Sequence, residues 1–126
     1  MKRIIHTNQA PAPIGPYSQA VAFGDTLYVS GQIALHPQTG ELQMETLQIE
    51  TEQVMQNLKA VLHAAGSDFS QVLKTTIFLS DMAFFFEVNS IYANYFHENP
   101  PARETVQVAG LPKGVNVEIS VIASLA

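Results

Sequence analysis

Residues 115–123 constrain the fold of this chain more than any other segment. Val115, Val117, Ile119, Val121 and Ala123 fall on one side, and Asn116, Glu118, Ser120 and Ile122 on the other. Side chains alternate across a strand with a period of two, so the segment predicts a strand with one apolar face. That face needs a covering layer. Two stretches carry the period of a helix. Over residues 46–65, Leu47, Val54, Leu58, Val61, Leu62 and Ala65 form a one-sided stripe, and Gly66 stands where a helix would stop. A second helix is expected over residues 82–98, with Asp81 as N-cap. Phe85, Val88, Tyr92, Tyr95 and Phe96 lie on one side, and Pro100-Pro101 ends it.

Further strands are expected over residues 20–23, 26–30, 72–80 and 103–108, with Gly24-Asp25 making a tight hairpin between the first two. The order is strand, strand, helix, strand, helix, strand, strand. It predicts one α+β domain over residues 1–126, with a sheet carrying both helices on one face. Strand parity assigns Leu27, Val29, Thr75, Ile77, Leu79, Val106, Val108, Val117, Ile119 and Val121 to the helix side. The opposite, polar face is expected to hold Tyr28, Ser30, Lys74, Thr76, Phe78, Arg103, Thr105, Gln107 and Glu118.

Composition bears on what covers that second face. Only 13% of residues are charged, about half the usual share for a globular protein. A surface rich in Gln, Asn, Ser and Thr would account for this, as would burial against identical subunits, which is the reading favoured. The formal charge is −5 with six basic residues, which argues against nucleic acid and against an anionic membrane surface. No apolar run reaches the length of a membrane span, and the N-terminus turns polar too early for a signal peptide. A cytoplasmic location is the expectation. There is no cysteine, so disulfides, thiolate nucleophiles and Cys-based metal sites are excluded. His6, His36, His63 and His97 are scattered without ligand spacing, and no metal is expected.

Arg103 is the informative residue. Apart from Arg3 at the terminus it is the only arginine, and it follows Pro100-Pro101-Ala102. Two prolines restrict the backbone before it. A guanidinium is a planar fork that matches a carboxylate. Its partner is either a ligand carboxylate or an acid of the chain such as Glu118.

The segments Gly15-Pro16-Tyr17-Ser18-Gln19-Ala20, Ser30-Gly31-Gln32-Ile33, Asn57-Leu58-Lys59-Ala60-Val61-Leu62 and Lys74-Thr75-Thr76-Ile77-Phe78-Leu79 resemble the RidA (YjgF) family. So do Val88-Asn89-Ser90-Ile91-Tyr92, Pro101-Ala102-Arg103, Leu111-Pro112-Lys113 and Val117-Glu118-Ile119. The resemblance covers essentially the whole chain. It implies a chorismate-mutase-like fold and a homotrimer with active sites between subunits. The implied activity is cofactor-free hydrolytic deamination of 2-imino and 2-enamino acids to 2-oxo acids and ammonia, which protects pyridoxal-phosphate enzymes from 2-aminoacrylate.

Carried onto this chain, the resemblance makes Arg103 the binder of the substrate carboxylate, supported by the Gly31 amide. Ser30 and Tyr17 shape the pocket, Asn89 is its asparagine, and Glu118 is the acid beside the attacking water. Thr105 stands where many members have cysteine, and its carbonyl orients water or the substrate nitrogen. Glu104, Gly110 and Ser120 also depart from the common pattern, and parity points Glu104 toward the helix side. Other members are described as endoribonucleases or regulators. A non-catalytic sensor of small carboxylates is the competing reading.

Overall fold

The computed structural model describes residues 1–126. Six strands form one sheet: β1 (Arg3–Ile5), β2 (Ala20–Phe23), β3 (Thr26–Gln32), β4 (Val72–Leu79), β5 (Ala102–Gln107) and β6 (Val117–Ser124). Their spatial order is β1-β2-β3-β6-β4-β5. All neighbours are antiparallel except β4 and β5, which run parallel. Parallel neighbours need a crossover, and the α2 segment supplies it.

Helix α1 (Leu47–Ala64) begins at Thr46, whose side chain accepts from the Ile49 N–H, the usual N-cap arrangement. Gly66 follows the helix with φ +81°, the left-handed geometry that a C-terminal stop favours. The apolar stripe is buried at Val54, Leu58, Val61 and Leu62, against Val117, Ile119 and Val121 of β6 and Leu27 and Val29 of β3. The alternation of β6 is therefore reproduced, although the strand begins at Val117 rather than at residue 115.

The second helix is shorter than expected. Only Phe85–Tyr92 is α-helical (α2), flanked by 3-10 turns at Met82–Phe84 and Ala93–Tyr95. Asp81 caps the first of these turns by accepting from the Ala83 N–H. Aromatic rings at Phe69, Tyr92, Tyr95 and Phe96 pack at 4.7–5.3 Å between centroids, so side-chain packing holds this end more than helix length does. The sequence pattern also missed β1, which pairs with β2 from Arg3 opposite Ala22 to Ile5 opposite Ala20.

The parity assigned to β5 is corrected by its register. Arg103 lies opposite Thr75, and Thr105 opposite Ile77; Thr75 and Ile77 are buried on the helix side. Arg103, Thr105 and Gln107 thus belong to the helix side, not to the open polar face. Glu104 and Val106 point the other way. Glu104 forms an exposed ion pair with Lys74 at 3.0 Å and accepts from the Thr76 hydroxyl at 3.3 Å. Val106 is 42% exposed and lies opposite Phe78.

Candidate functional site

The residues singled out from sequence occupy two places. The first is on the helix side at the sheet edge, where β5 meets α2. The Arg103 Nη1 donates to Asn89 Oδ1 at 2.6 Å. Its guanidinium carbon lies 5.1 Å from the Tyr92 ring centre and 5.6 Å from that of Phe85, within cation–π range. The Tyr92 hydroxyl in turn bonds the Thr75 hydroxyl at 2.9 Å. Burial is the main cause that raises the Tyr92 pKa, opposed by the Thr75 bond and the nearby Arg103 charge.

Arg103 has no carboxylate partner, because the only ion pair in the chain is Lys74–Glu104. It remains exposed at the surface. A guanidinium carries five N–H donors, and the chain engages one of its nitrogens through Asn89. Beneath it, Thr105 Oγ1 is the one buried side-chain polar atom without a partner. The space around Thr105 and Val88 is too tight for water.

The second place is a cavity of about 440 Å³ at the ends of β3 and β6. Tyr17, Ser30, Gly31 and Glu118 line it together. The β3–β6 register shifts between Val29 and Gln32, which is a bulge at Ser30-Gly31. Bulges re-aim side chains next to sites. The Ser30 hydroxyl donates to the Ser18 carbonyl at 2.6 Å, and the Tyr17 hydroxyl accepts from the Ile14 N–H at 3.4 Å. Both side chains therefore brace the loop that walls the cavity.

Glu118 is half-buried, and burial pushes its carboxyl above the usual pKa range. A Cβ at Gly31 would overlap the Glu118 carboxylate, so glycine at this position makes room for the acid. No hydrogen bond from the chain reaches that carboxylate, and the alternative of an Arg103–Glu118 pair is not realised.

Sequence reasoning missed several contributors to the cavity. The walls include Pro11, Ile14, Ile33, Leu35, Pro112 and Lys113. The buried Gln19 side chain accepts from the Thr7 N–H at 2.7 Å and donates to the Thr7 and Pro11 carbonyls at 3.0 and 2.9 Å, pinning the wall segment. The only sequence signal for Gln19 was its place in the segment over residues 15–20 that resembles the family. Phe85 and Tyr92 were read as core alone, and their contact with Arg103 needed the correct face for β5. No group of three or more His, Asp or Glu side chains is placed to hold a metal ion, and no helix is long and apolar enough to cross a membrane.

A solvent-facing arginine with unused donors and a half-buried cavity carboxylate stand on opposite sides of one α+β sheet. The chain belongs to the family described as Endoribonuclease L-PSP, which matches residues 7–125 and is the RidA (YjgF) family. The mouse protein named 2-iminobutanoate/2-iminopropanoate deaminase is 49% identical, covering 98% of this chain and 91% of that protein. A Yersinia pestis protein of the conserved Rid family, YyfA, superposes with a TM-score of 0.96 at 48% identity over 98% of this chain and 99% of that one. E. coli TdcF, solved with bound serine, superposes with a TM-score of 0.94 at 40% identity over 98% and 99% of the two chains.

Proposed function

We propose that this protein hydrolyses small 2-imino and 2-enamino acids to 2-oxo acids and ammonia, in clefts between the subunits of a homotrimer. The observation that carries the reading is Arg103: a guanidinium in no ion pair, aligned by Asn89 and seated on Tyr92 and Phe85. A cation held this way is preorganised for a planar anion. Its free edge suits the carboxylate that every 2-imino acid carries.

In the proposed reaction, water adds to the carbon of the C=N bond. The resulting carbinolamine transfers a proton to nitrogen and expels ammonia, leaving the 2-oxo acid. The iminium carbon is already electrophilic, so positioning and proton transfer are the main tasks. Glu118 suits both, because a carboxyl with a raised pKa exchanges a proton nearer neutrality. The backbone at Gly31 and Thr105 helps hold the substrate, with Ser30 and Tyr17 shaping the wall. No cofactor is required. Removal of 2-aminoacrylate, which attacks pyridoxal-phosphate enzymes, is the physiological role consistent with this chemistry.

A second copy of the chain completes the site in this reading. Arg103 and Glu118 lie on opposite sides of one sheet, and only Glu118 lines the 440 Å³ cavity. The open face also carries Tyr28, Phe78, Val106 and Ile122, all incompletely buried, an apolar surface that suits a subunit seam. RNA cleavage is disfavoured by the net charge of −5 and six basic residues.

The decisive measurement is ammonia release from freshly generated 2-iminobutanoate or 2-iminopropanoate. Acceleration over the buffer rate is expected. Binding of small carboxylates without acceleration would replace the enzyme by a metabolite sensor. Light scattering should return three times the chain mass, and a stable monomer would remove the intersubunit cleft.

A further inference from the structure

Glu50 is a fully buried acid that the proposed chemistry does not use. It sits in the first turn of α1 and has no cationic partner. Instead its carboxylate gathers three N–H groups from two consecutive residues. Oε2 accepts from the Asn116 backbone at 2.8 Å and the Val117 backbone at 3.3 Å. Oε1 accepts from Asn116 Nδ2 at 2.8 Å. The other side of Asn116 is held as well: its carbonyl accepts from the Ser80 N–H at 3.0 Å, and its Oδ1 from the Ser80 hydroxyl at 3.4 Å.

The next residue along β6 is Glu118. Just before Asn116 the chain passes through Lys113 and Gly114, both left-handed at φ +56° and +68°, and Pro112 and Lys113 line the same cavity as Glu118. Left-handed backbone at a lysine is strained, and something must hold the segment there. A lone buried carboxylate is an expensive way to begin a strand. Water or a neighbouring strand would satisfy the same amides at less cost.

We infer that Glu50 is a positioning residue for the Glu118 wall of the cavity. From the core side of the sheet, it pins the backbone on which the Glu118 carboxylate is aimed out of the other side. Its connection to catalysis rests on the deaminase reading; its connection to Glu118 does not. Arg103 is anchored independently on β5 and α2, so loosening Glu50 disturbs the acid and leaves the carboxylate grip in place.

The test is Glu50→Gln, which keeps the shape but places an N–H₂ donor where donors already converge. Val61→Ala, a core truncation further along α1, serves as a control for destabilisation alone. The expected result is a fall in kcat for imine hydrolysis of about tenfold with KM within about twofold. The carboxyl titration of Glu118, followed by ¹³C NMR, should move toward the ordinary glutamate range as its setting loosens. Val61→Ala should lower Tm with neither change. A Glu50→Gln protein that matches the control in kcat or in the Glu118 titration overturns the inference. If the wild-type protein turns over no imine, the deaminase reading fails, and the titration alone then decides whether Glu50 positions Glu118.

Discussion

The two clusters of this chain prepare opposite charges by opposite means. Arg103 is aligned by close contacts: an amide oxygen at 2.6 Å and two aromatic faces. Glu118 is left without hydrogen-bond partners, in an open cavity where burial disfavours its charge. In the proposed reading, one cluster holds a fixed anion and the other leaves a proton movable. The difference teaches that a charged side chain's freedom can be inferred from what surrounds it, because close partners fix a guanidinium's orientation while desolvation without partners disfavours a carboxylate's charge.

The largest effect should come from removing the anion grip. Two charge-assisted hydrogen bonds at about 2 kcal/mol each amount to about a thousandfold in kcat/KM, so Arg103→Ala should abolish measurable ammonia release. Arg103→Lys should stay well below wild type, since an ammonium lacks the planar fork. If Arg103→Ala retains the wild-type rate, the division of labour between the two clusters is broken.

Glu118→Gln should lower kcat by about a hundredfold with KM little changed, while Tm at neutral pH rises. The sign follows from the raised pKa. The unfolded chain gives up the Glu118 proton at lower pH than the folded chain, so raising pH through that window costs the folded state stability. Glutamine removes this cost. The gain should be present above the raised folded value and vanish below the ordinary glutamate range, and a Tm gain that persists in acid would refute the cause assigned here.

Mixing subunits sharpens the comparison further. Arg103→Ala and Glu118→Gln chains, unfolded together and reassembled, should regain activity in about a quarter of the clefts. No regain would place both groups in one subunit's site.

Smaller effects are expected from the supports. Asn89→Ala leaves Arg103 unaligned and should raise KM by about tenfold, the worth of one charge-assisted bond. Gly31→Ala pushes a methyl into the Glu118 carboxylate, the free end of a flexible side chain that no hydrogen bond holds. The acid swings aside, so urea unfolding should show a loss of less than about 1 kcal/mol. The smallest change belongs to Lys74→Ala. Its pair with Glu104 is solvent-exposed, and such pairs contribute little, so rate and Tm should stay near wild type.

The pattern of residues carried most of the architecture. The stripe of α1, the alternation of β6 and the glycine after α1 are all local, and each appears where local physics put it. Arg103 stood out because arginine is scarce here and two prolines precede it. Its setting was not legible in the same way. Glu50 and Asn57 interrupt the apolar face of α1, yet both are buried and hydrogen-bonded, Asn57 to the Ile33 and Leu35 carbonyls at 3.0 and 2.9 Å. A polar residue on a core face announces itself only through partners distant in sequence.

Strand β5 marks the boundary between the two kinds of information. Its sequence, Ala-Arg-Glu-Thr-Val-Gln, fixes that alternate residues share a side, because the strand period is two. It has no run of apolar residues to say which side faces the core. The parallel register with β4, Arg103 opposite Thr75, made that choice, and with it set Arg103 over Tyr92 and Glu104 beside Lys74. By itself the chain determined its long helix, most of its strands and the arginine on which the proposed function turns. Tertiary structure alone decided which way that arginine faces, because at a sheet edge the side of a polar strand is chosen by its neighbours.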